Sequence, residues 1–183
     1  MSGSEKSVNF RIRQAVPADY SALGKLTVEV YKQLPGMPSE SEQREYYAML
    51  GDVEGRATKD FTEILVAVNE NQKVLGGVTY INDMRGYGSA EFNSNNMRAS
   101  AIRLLAVSPE ARGAGIGKAL TGECIRRAVE SGHTRVFLHT TKAMSVAWGM
   151  YERLGFRRQP EFDFMQGSLQ VYGFILELDR KED

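Results

Sequence analysis

The apolar residues of this chain follow two periods, and the change from one to the other marks the predicted elements. After Pro17, apolar residues recur three or four positions apart at Tyr20, Leu23, Leu26 and Val30, which predicts a helix. Short apolar or alternating runs bounded by turn residues predict strands. These runs cover residues 8–13, 64–68, 74–81, 99–107 and 136–139.

Three further helices and a closing pair of strands follow from the same pattern. The spacing predicts helices over residues 41–58, 115–130 and 145–154, the last two ended by Gly132 and Gly155. Residues 156–164 and 168–178 are expected to pair as antiparallel strands around the turn at 165–167. We therefore expect a single mixed α/β domain over residues 8–178, with a flexible N-terminus at 1–7 and a charged tail at 179–183.

Composition excludes several classes of function. Lys plus Arg equals Asp plus Glu, 23 of each, so no general attraction to nucleic acid or to an anionic membrane is expected. The chain has one cysteine, Cys124, and two histidines, which argues against disulfides and against a metal site. No apolar run approaches the ~20 residues of a membrane span, and residues 1–7 lack a signal-peptide core. We expect a soluble, cytoplasmic protein.

The strand at 99–107 runs into a glycine-rich turn that opens a helix, which is a way to present backbone N–H groups to a phosphate. The turn reads Arg-Gly-Ala-Gly-Ile-Gly-Lys over residues 112–118. A P-loop is excluded because Arg112 stands at its first glycine and Ala119 at its Ser/Thr position. A dinucleotide fingerprint is excluded because the glycines are spaced Gly-x-Gly-x-Gly.

A second motif lies in the helix at 145–154, where Tyr151 precedes a Leu-Gly-Phe stop at 154–156. The helix supplies a phenol at a fixed position, although Ala147, Tyr151 and Leu154 also share one face and could simply pack. Together the two motifs resemble the central motifs of the GNAT superfamily, the acyl-CoA-dependent N-acyltransferases. The ending Tyr-Glu-Arg-Leu-Gly-Phe-Arg-Arg is similar to that of an uncharacterised bacterial subgroup.

This resemblance implies the GNAT fold: a mostly antiparallel central sheet with one parallel pair at the CoA site, flanked by four helices. It also implies acetyl-CoA as co-substrate, with its pyrophosphate wrapped by the turn and its thioester carbonyl polarised by backbone N–H groups near Val107. The cofactor-binding residues so implied are Leu105, Val107, Arg112, Gly113, Ala114, Gly115, Ile116, Gly117 and Lys118. Tyr151 is implied as the catalytic acid that protonates the departing thiolate.

The chain departs from the family pattern at two positions. Met144 stands where many members carry an Asn that bonds to the pantetheine arm. Ala101 stands where many carry a Glu as general base. The proton acceptor is left open among Glu91, Asp83, His139 and a water held by backbone carbonyls.

Arg103 is a charged residue in an otherwise apolar strand, so it must be paired or lie at a polar cavity. It either binds an acceptor carboxylate or forms an internal salt bridge with Glu63 or Glu91. The acceptor pocket of the family is built by the segments at 31–43 and 82–98, which contain Tyr31, Met37, Tyr87 and Phe92. The substrate-binding residues expected here are Arg103 and Tyr31.

The expected reaction is transfer of acetyl from acetyl-CoA to a primary amine of a small molecule, one bearing a carboxylate if Arg103 faces the pocket. Direct attack is expected because no activated nucleophile is visible in the sequence. The alternatives are a protein lysine or N-terminal acetyltransferase and a non-catalytic acyl-CoA-binding module. The sequence leaves the oligomeric state open, a homodimer included.

Overall fold

An eight-stranded mixed sheet organises the residues that the computed structural model describes, 7–87 and 98–179. Its strands are β1 Arg11–Gln14, β2 Thr62–Val68, β3 Val74–Ile81, β4 Ala99–Val107, β5 Arg135–Thr140, β6 Arg157–Arg158, β7 Phe164–Gln166 and β8 Leu169–Glu177. They follow the order β1-β2-β3-β4-β5-β8-β6, with β7 paired to β8. Every pairing is antiparallel except β4 with β5, which confirms the predicted fold class.

Helices cover both faces of the sheet. They are α1 Pro17–Lys32, α2 Arg44–Gly51, α3 Val53–Ala57, α4 Ile116–Glu130 and α5 Ser145–Arg153. In β2, Leu65 and Ala67 pack into the core beneath α4, while the alternate residues pack with Leu23 of α1 and Val53 of α3. The alternation puts the core in two layers, one on each side of the sheet. Within the described residues, no helix is both long and apolar enough to cross a membrane.

Two predicted elements are divided in the structure. The helix expected over 41–58 is two helices, because the Asp52 side chain accepts a hydrogen bond from the Gly55 N–H at 2.8 Å and caps a new helix. Five helices therefore flank the sheet among the described residues, where four were expected. The strand expected over 156–164 was wrong as one element: β6 ends before Pro160, which begins a 3-10 turn, and β7 starts at Phe164.

A β-bulge interrupts β4 at Leu104, whose φ is +55°. Gly77 pairs with Ala106 and Thr79 with Arg103, so two residues of β4 face Val78 alone. The parallel pairing with β5 ends just before the bulge, at Ile102 opposite Leu138. The bulge therefore lies where β4 and β5 stop pairing. Arg103 is the first residue of β4 after the last residue paired with β5.

The helices α1 and α2 meet at two glycines. A Cβ added to Gly24 would lie 2.3 Å from the Gly51 carbonyl oxygen. We expect Gly24→Ala to lower the free energy of unfolding by about 1–3 kcal/mol, because the backbones must separate. Urea denaturation measures the change.

Gly122 on α4 provides the matched control, because a Cβ there meets nothing within 4 Å. We expect Gly122→Ala to be neutral or to stabilise by up to about 1 kcal/mol through helix propensity. Equal stability changes in both variants would mean that the Gly24–Gly51 approach does not constrain the packing of α1 on α2.

Candidate active site

The glycine-rich turn after β4 leads directly into the first turn of α4. Gly113 and Gly115 have φ of +83° and +81°, the left-handed region that favours glycine, and a Cβ on either would meet nothing within 4 Å. Gly115 is the N-cap, and Ala119 N–H donates to its carbonyl at 2.9 Å. The N–H groups that precede Ala119 have no intrahelical acceptor, so they and the helix dipole can bind an anion.

Two cationic residues and several apolar residues flank this turn. Arg112 and Lys118 are exposed beside the N–H groups. A Cβ on Gly117 would contact Leu105, Val107 and Met150 at 3.6–3.8 Å, so the first turn of α4 lies against the end of β4 and against α5. The turn at 112–118, called the glycine cradle below, thus presents backbone N–H groups beside two cations, and its binding of the acetyl-CoA pyrophosphate stays a prediction.

Tyr151 of α5 is buried, with 5% of its surface exposed. Its ring packs edge-on against Phe156, with centroids 5.7 Å apart, and belongs to the core beneath α4. Burial raises the pKa of the phenol, so it stays protonated at neutral pH. The ring of Tyr151 therefore packs in the core, and the role of its hydroxyl as a general acid stays a prediction.

A separate cavity lies where β4 and β5 stop pairing. It has about 560 Å³ of empty space, counting the part open to solvent. Its walls come from five parts of the chain: α1 and the segment to α2, the turn before residue 88, the bulge of β4, the end of β5, and the hairpin of β7 and β8. The lining residues are Tyr31, Met37, Tyr46, Tyr87, Arg103, Leu104, His139, Thr140, Thr141, Met144, Phe164, Gln166, Leu169 and Val171.

Arg103 is the cationic centre of this cavity. Its guanidinium carbon lies 5.2 Å from the ring centroid of Tyr87, a cation–π contact. Burial raises the pKa values of Tyr46 and Tyr87 to about 12, and the Arg103 charge opposes both shifts and that of Tyr31. The three phenols are therefore neutral hydrogen-bond donors near one guanidinium.

His139 and Tyr87 form a hydrogen-bonded pair at the cavity wall. His139 Nε2 lies 2.8 Å from the Phe162 carbonyl oxygen, which can only accept, so Nε2 carries a proton. The pKa of His139 is lowered, mainly by burial. The neutral ring thus presents an unprotonated Nδ1, which accepts a short hydrogen bond from the Tyr87 hydroxyl.

The structure separates the residues proposed for proton transfer. Ala101 is fully buried, packed with Ile81 and Phe137, and does not line the cavity. Asp83 is bound by Arg85 in a pair of hydrogen bonds at 2.9 and 2.7 Å and also lies outside it. Of the described candidates, only His139 reaches the cavity.

The other expectations for the acceptor side divide in a similar way. Glu63 pairs with Arg127 rather than with Arg103, so that internal salt bridge is wrong. Tyr31 and Met37 line the cavity, and so does Met144, which replaces the family Asn. That Tyr31 binds the acceptor stays a prediction. Glu91 and Phe92 lie outside the described residues.

Sequence reasoning missed three parts of the site. Tyr46 and the apolar wall from the β7–β8 hairpin carry no local motif. Thr141 Oγ1 is buried, lines the cavity and has no hydrogen-bond partner among the described residues. Its only signal was a polar pair, Thr140 and Thr141, directly after a buried strand.

Comparisons with known proteins agree with this geometry. The family model described as the Acetyltransferase (GNAT) family matches residues 27–156. A mycothiol acetyltransferase from Paenarthrobacter aurescens is 31% identical over 122 residues, which are 64% of this chain and 35% of that protein. The chain thus spans about a third of the length of the curated relatives it matches.

Solved structures share the fold at low identity. A GNAT-family acetyltransferase from Staphylococcus aureus superposes with a TM-score of 0.73 at 18% identity, covering 93% of this chain and all of that one. A Salmonella typhimurium structure described with its cofactor acetyl-CoA has a TM-score of 0.65 at 19% identity, covering 96% and 97%. With the family model covering most of the sequence, the chain belongs to the GNAT family of acetyltransferases.

Proposed function

We propose that this protein transfers the acetyl group of acetyl-CoA to the primary amine of a small amino acid. The observation that carries this proposal is the position of Arg103 in the cavity, among the hydroxyls of Tyr31, Tyr46 and Tyr87. Within the described ranges no Asp or Glu forms an ion pair with Arg103. A guanidinium binds a carboxylate bidentately, and the Tyr31 and Tyr46 hydroxyls can donate to the same anion.

The remaining walls favour an apolar side chain on that acid. Five apolar side chains line the cavity: Met37, Met144, Phe164, Leu169 and Val171. The buried Thr141 hydroxyl adds a hydrogen-bonding group for the polar end of the substrate. Methionine and phenylalanine are therefore the first acceptors to test, each against its amide.

The glycine cradle supports acetyl-CoA as the acyl donor. Arg112 and Lys118 with the N–H groups of residues 113–118 would hold the pyrophosphate, and the apolar Leu105 and Val107 would lie along the pantetheine arm. Backbone N–H groups near Val107 would polarise the thioester carbonyl, whose activated acyl group is the chemistry that acetyl-CoA supplies. The amine would attack directly, because Cys124 is fully buried in the core and its pKa is raised.

Arg103→Gln tests the acceptor class. We expect KM for methionine or phenylalanine to rise about tenfold, since a charge-assisted pair is lost, while acetyl-CoA binding is unchanged. The ratio of kcat/KM for the acid to that for its amide should fall toward one. Steady-state kinetics with the four acceptors measures both effects.

Arg157→Gln is the control, because Arg157 is an exposed arginine on β6 outside the cavity. It should leave the acid-to-amide ratio as in the wild type. An unchanged ratio in Arg103→Gln would remove the carboxylate from the proposal. Turnover of peptides in preference to free amino acids would favour the protein acetyltransferase, and acetyl-CoA binding without turnover of any amine would favour the binding module.

A further inference from the structure

The amine must lose a proton before it can attack, and the described part of the cavity wall carries no carboxylate to accept it. The α-amine of the proposed amino acid has a pKa above ~7, so it is mostly ammonium at neutral pH and cannot attack in that form. None of the described lining residues is Asp or Glu. The Glu position of the family is occupied by the buried Ala101. Among the residues that the structure describes, the candidate proton acceptor is therefore a group other than a carboxylate.

The direction of the hydrogen bonds from Tyr87 to His139 leaves a ring nitrogen of His139 able to accept a proton. Phe162 O fixes the proton on His139 Nε2, so the lone pair of Nδ1 faces the Tyr87 hydroxyl. Tyr87 also lies beneath Arg103, where the substrate carboxylate is proposed to bind. The amine of an amino acid whose carboxylate is bound by Arg103 would therefore lie close to Tyr87.

The histidine ring is fixed by the segment that follows β6. Gly173 of β8 lies opposite His139, and a Cβ on Gly173 would come 2.7 Å from the Cβ of Phe162. The Asp163 carboxylate accepts from the Gly173 N–H at 2.8 Å and is held by Arg158. These contacts press the 3-10 turn at 160–162 onto the sheet and hold the Phe162 carbonyl against the ring.

Among the described residues, two charged side chains act on His139. Arg103 of β4 lowers its pKa and Asp163 raises it, while burial, the largest cause, lowers it. Tyr87 faces Nδ1 as a neutral phenol. The ring is thus neutral at pH 7 and able to accept a proton.

We propose that Tyr87 and His139 form the proton relay of this active site, an inference that rests on the proposed function. The substrate ammonium gives one proton to the Tyr87 oxygen as the Tyr87 proton passes to His139 Nδ1. The amine nitrogen gains its lone pair, Tyr87 ends as a neutral phenol, and His139 becomes an imidazolium that keeps its bond to Phe162 O. Solvent takes that proton after acetyl transfer.

Kinetics of Tyr87→Phe and His139→Gln test the relay, with methionine, phenylalanine and their amides as acceptors. In the wild type, kcat should be constant above the lowered pKa of His139 and fall as the pH drops through it. Each variant should lose at least tenfold in kcat at pH 7, and His139→Gln should lose this acid limb. The double variant should lose no more kcat than the worse single variant, because both residues act in one relay.

Two controls accompany these variants. Phe at position 87 keeps the ring beneath Arg103, and His133→Gln, which changes the other histidine, should match the wild type.

Nitrogen-15 NMR of labelled histidine tests the geometry without turnover. The His139 signal, assigned by its loss in His139→Gln, should report a neutral ring protonated at Nε2 at pH 7. A ring protonated at Nδ1, or an acid limb that persists in His139→Gln with kcat retained, would overturn the relay. A different result would separate the two proposals. If His139→Gln loses the fall in kcat at low pH but the wild type turns over acids and their amides equally well, the amino-acid proposal is overturned and the relay is kept.

Discussion

Tyr151→Phe is expected to lower kcat by about 10²–10⁴-fold, the range typical of a general acid, with a smaller change in KM for acetyl-CoA. The hydroxyl is proposed to act on charge that develops on the departing thiolate, so its loss would be felt in the transition state rather than in binding. Burial raises the pKa of this phenol, so it is protonated and able to donate over the neutral range. Stopped-flow or steady-state thiol release under chemistry-limited conditions measures the effect.

Tyr47→Phe is the matched control for Tyr151→Phe. Tyr47 is equally buried, at 3% exposed, and its hydroxyl donates to the Pro38 carbonyl at 2.7 Å. Its loss should cost about 1 kcal/mol of stability and leave kcat unchanged. A Tyr151→Phe variant with wild-type turnover would make Tyr151 a packing residue alone, as its contact with Phe156 already allows.

Gly115→Val is expected to weaken CoA binding at least tenfold, which is about 1.4 kcal/mol. The φ of +81° at Gly115 is strained for a β-branched residue, and a Cβ there would point into the open space of the cradle. The backbone strain would displace the N–H groups that the pyrophosphate is proposed to contact. The valine side chain would fill space in which the pyrophosphate is proposed to lie. Isothermal titration calorimetry with CoA measures the loss.

Gly132→Val separates backbone strain from ligand contact. Gly132 has φ of +71° just after the other end of α4, and its Cβ would meet only Arg98, at 3.9 Å. Both variants should lose about 1–3 kcal/mol of stability, and only Gly115→Val should lose CoA affinity. Wild-type affinity in a folded Gly115→Val protein would take this turn out of the binding site.

The elements that sequence predicted well are those whose signals are local. The period of α1, the stops at Gly132 and Gly155 and the apolar run of β4 depend on neighbours within a few positions. The β4 range, 99–107, was predicted to the residue. Arg103 could be selected as a candidate because a charge in an apolar strand stands out without any knowledge of the fold.

The features that sequence did not predict depend on contacts between distant segments. Leu104 takes a positive φ although nothing in its identity favours one, because the bulge is set by pairing across β3 and β4. Tyr87 and His139 are separated by 52 positions and meet only in the folded chain. Tyr46 enters the cavity through the packing of α1 on α2, which their separate periodicities do not specify.

The position of β8 inside the sheet, between β5 and β6, sets an order in which the two halves of the site can form during synthesis. The cradle at 112–118 and β4 are synthesised before β8. The acceptor cavity needs β8, whose Glu177 pairs with Arg135 across 42 residues, and such distant pairing forms slowly. Until β8 arrives, one edge of β5 is unpaired and open to strands of other molecules. A nascent chain of this protein therefore carries the proposed CoA-binding turn before the β8 wall of the cavity, and its late aggregation hazard lies along β5.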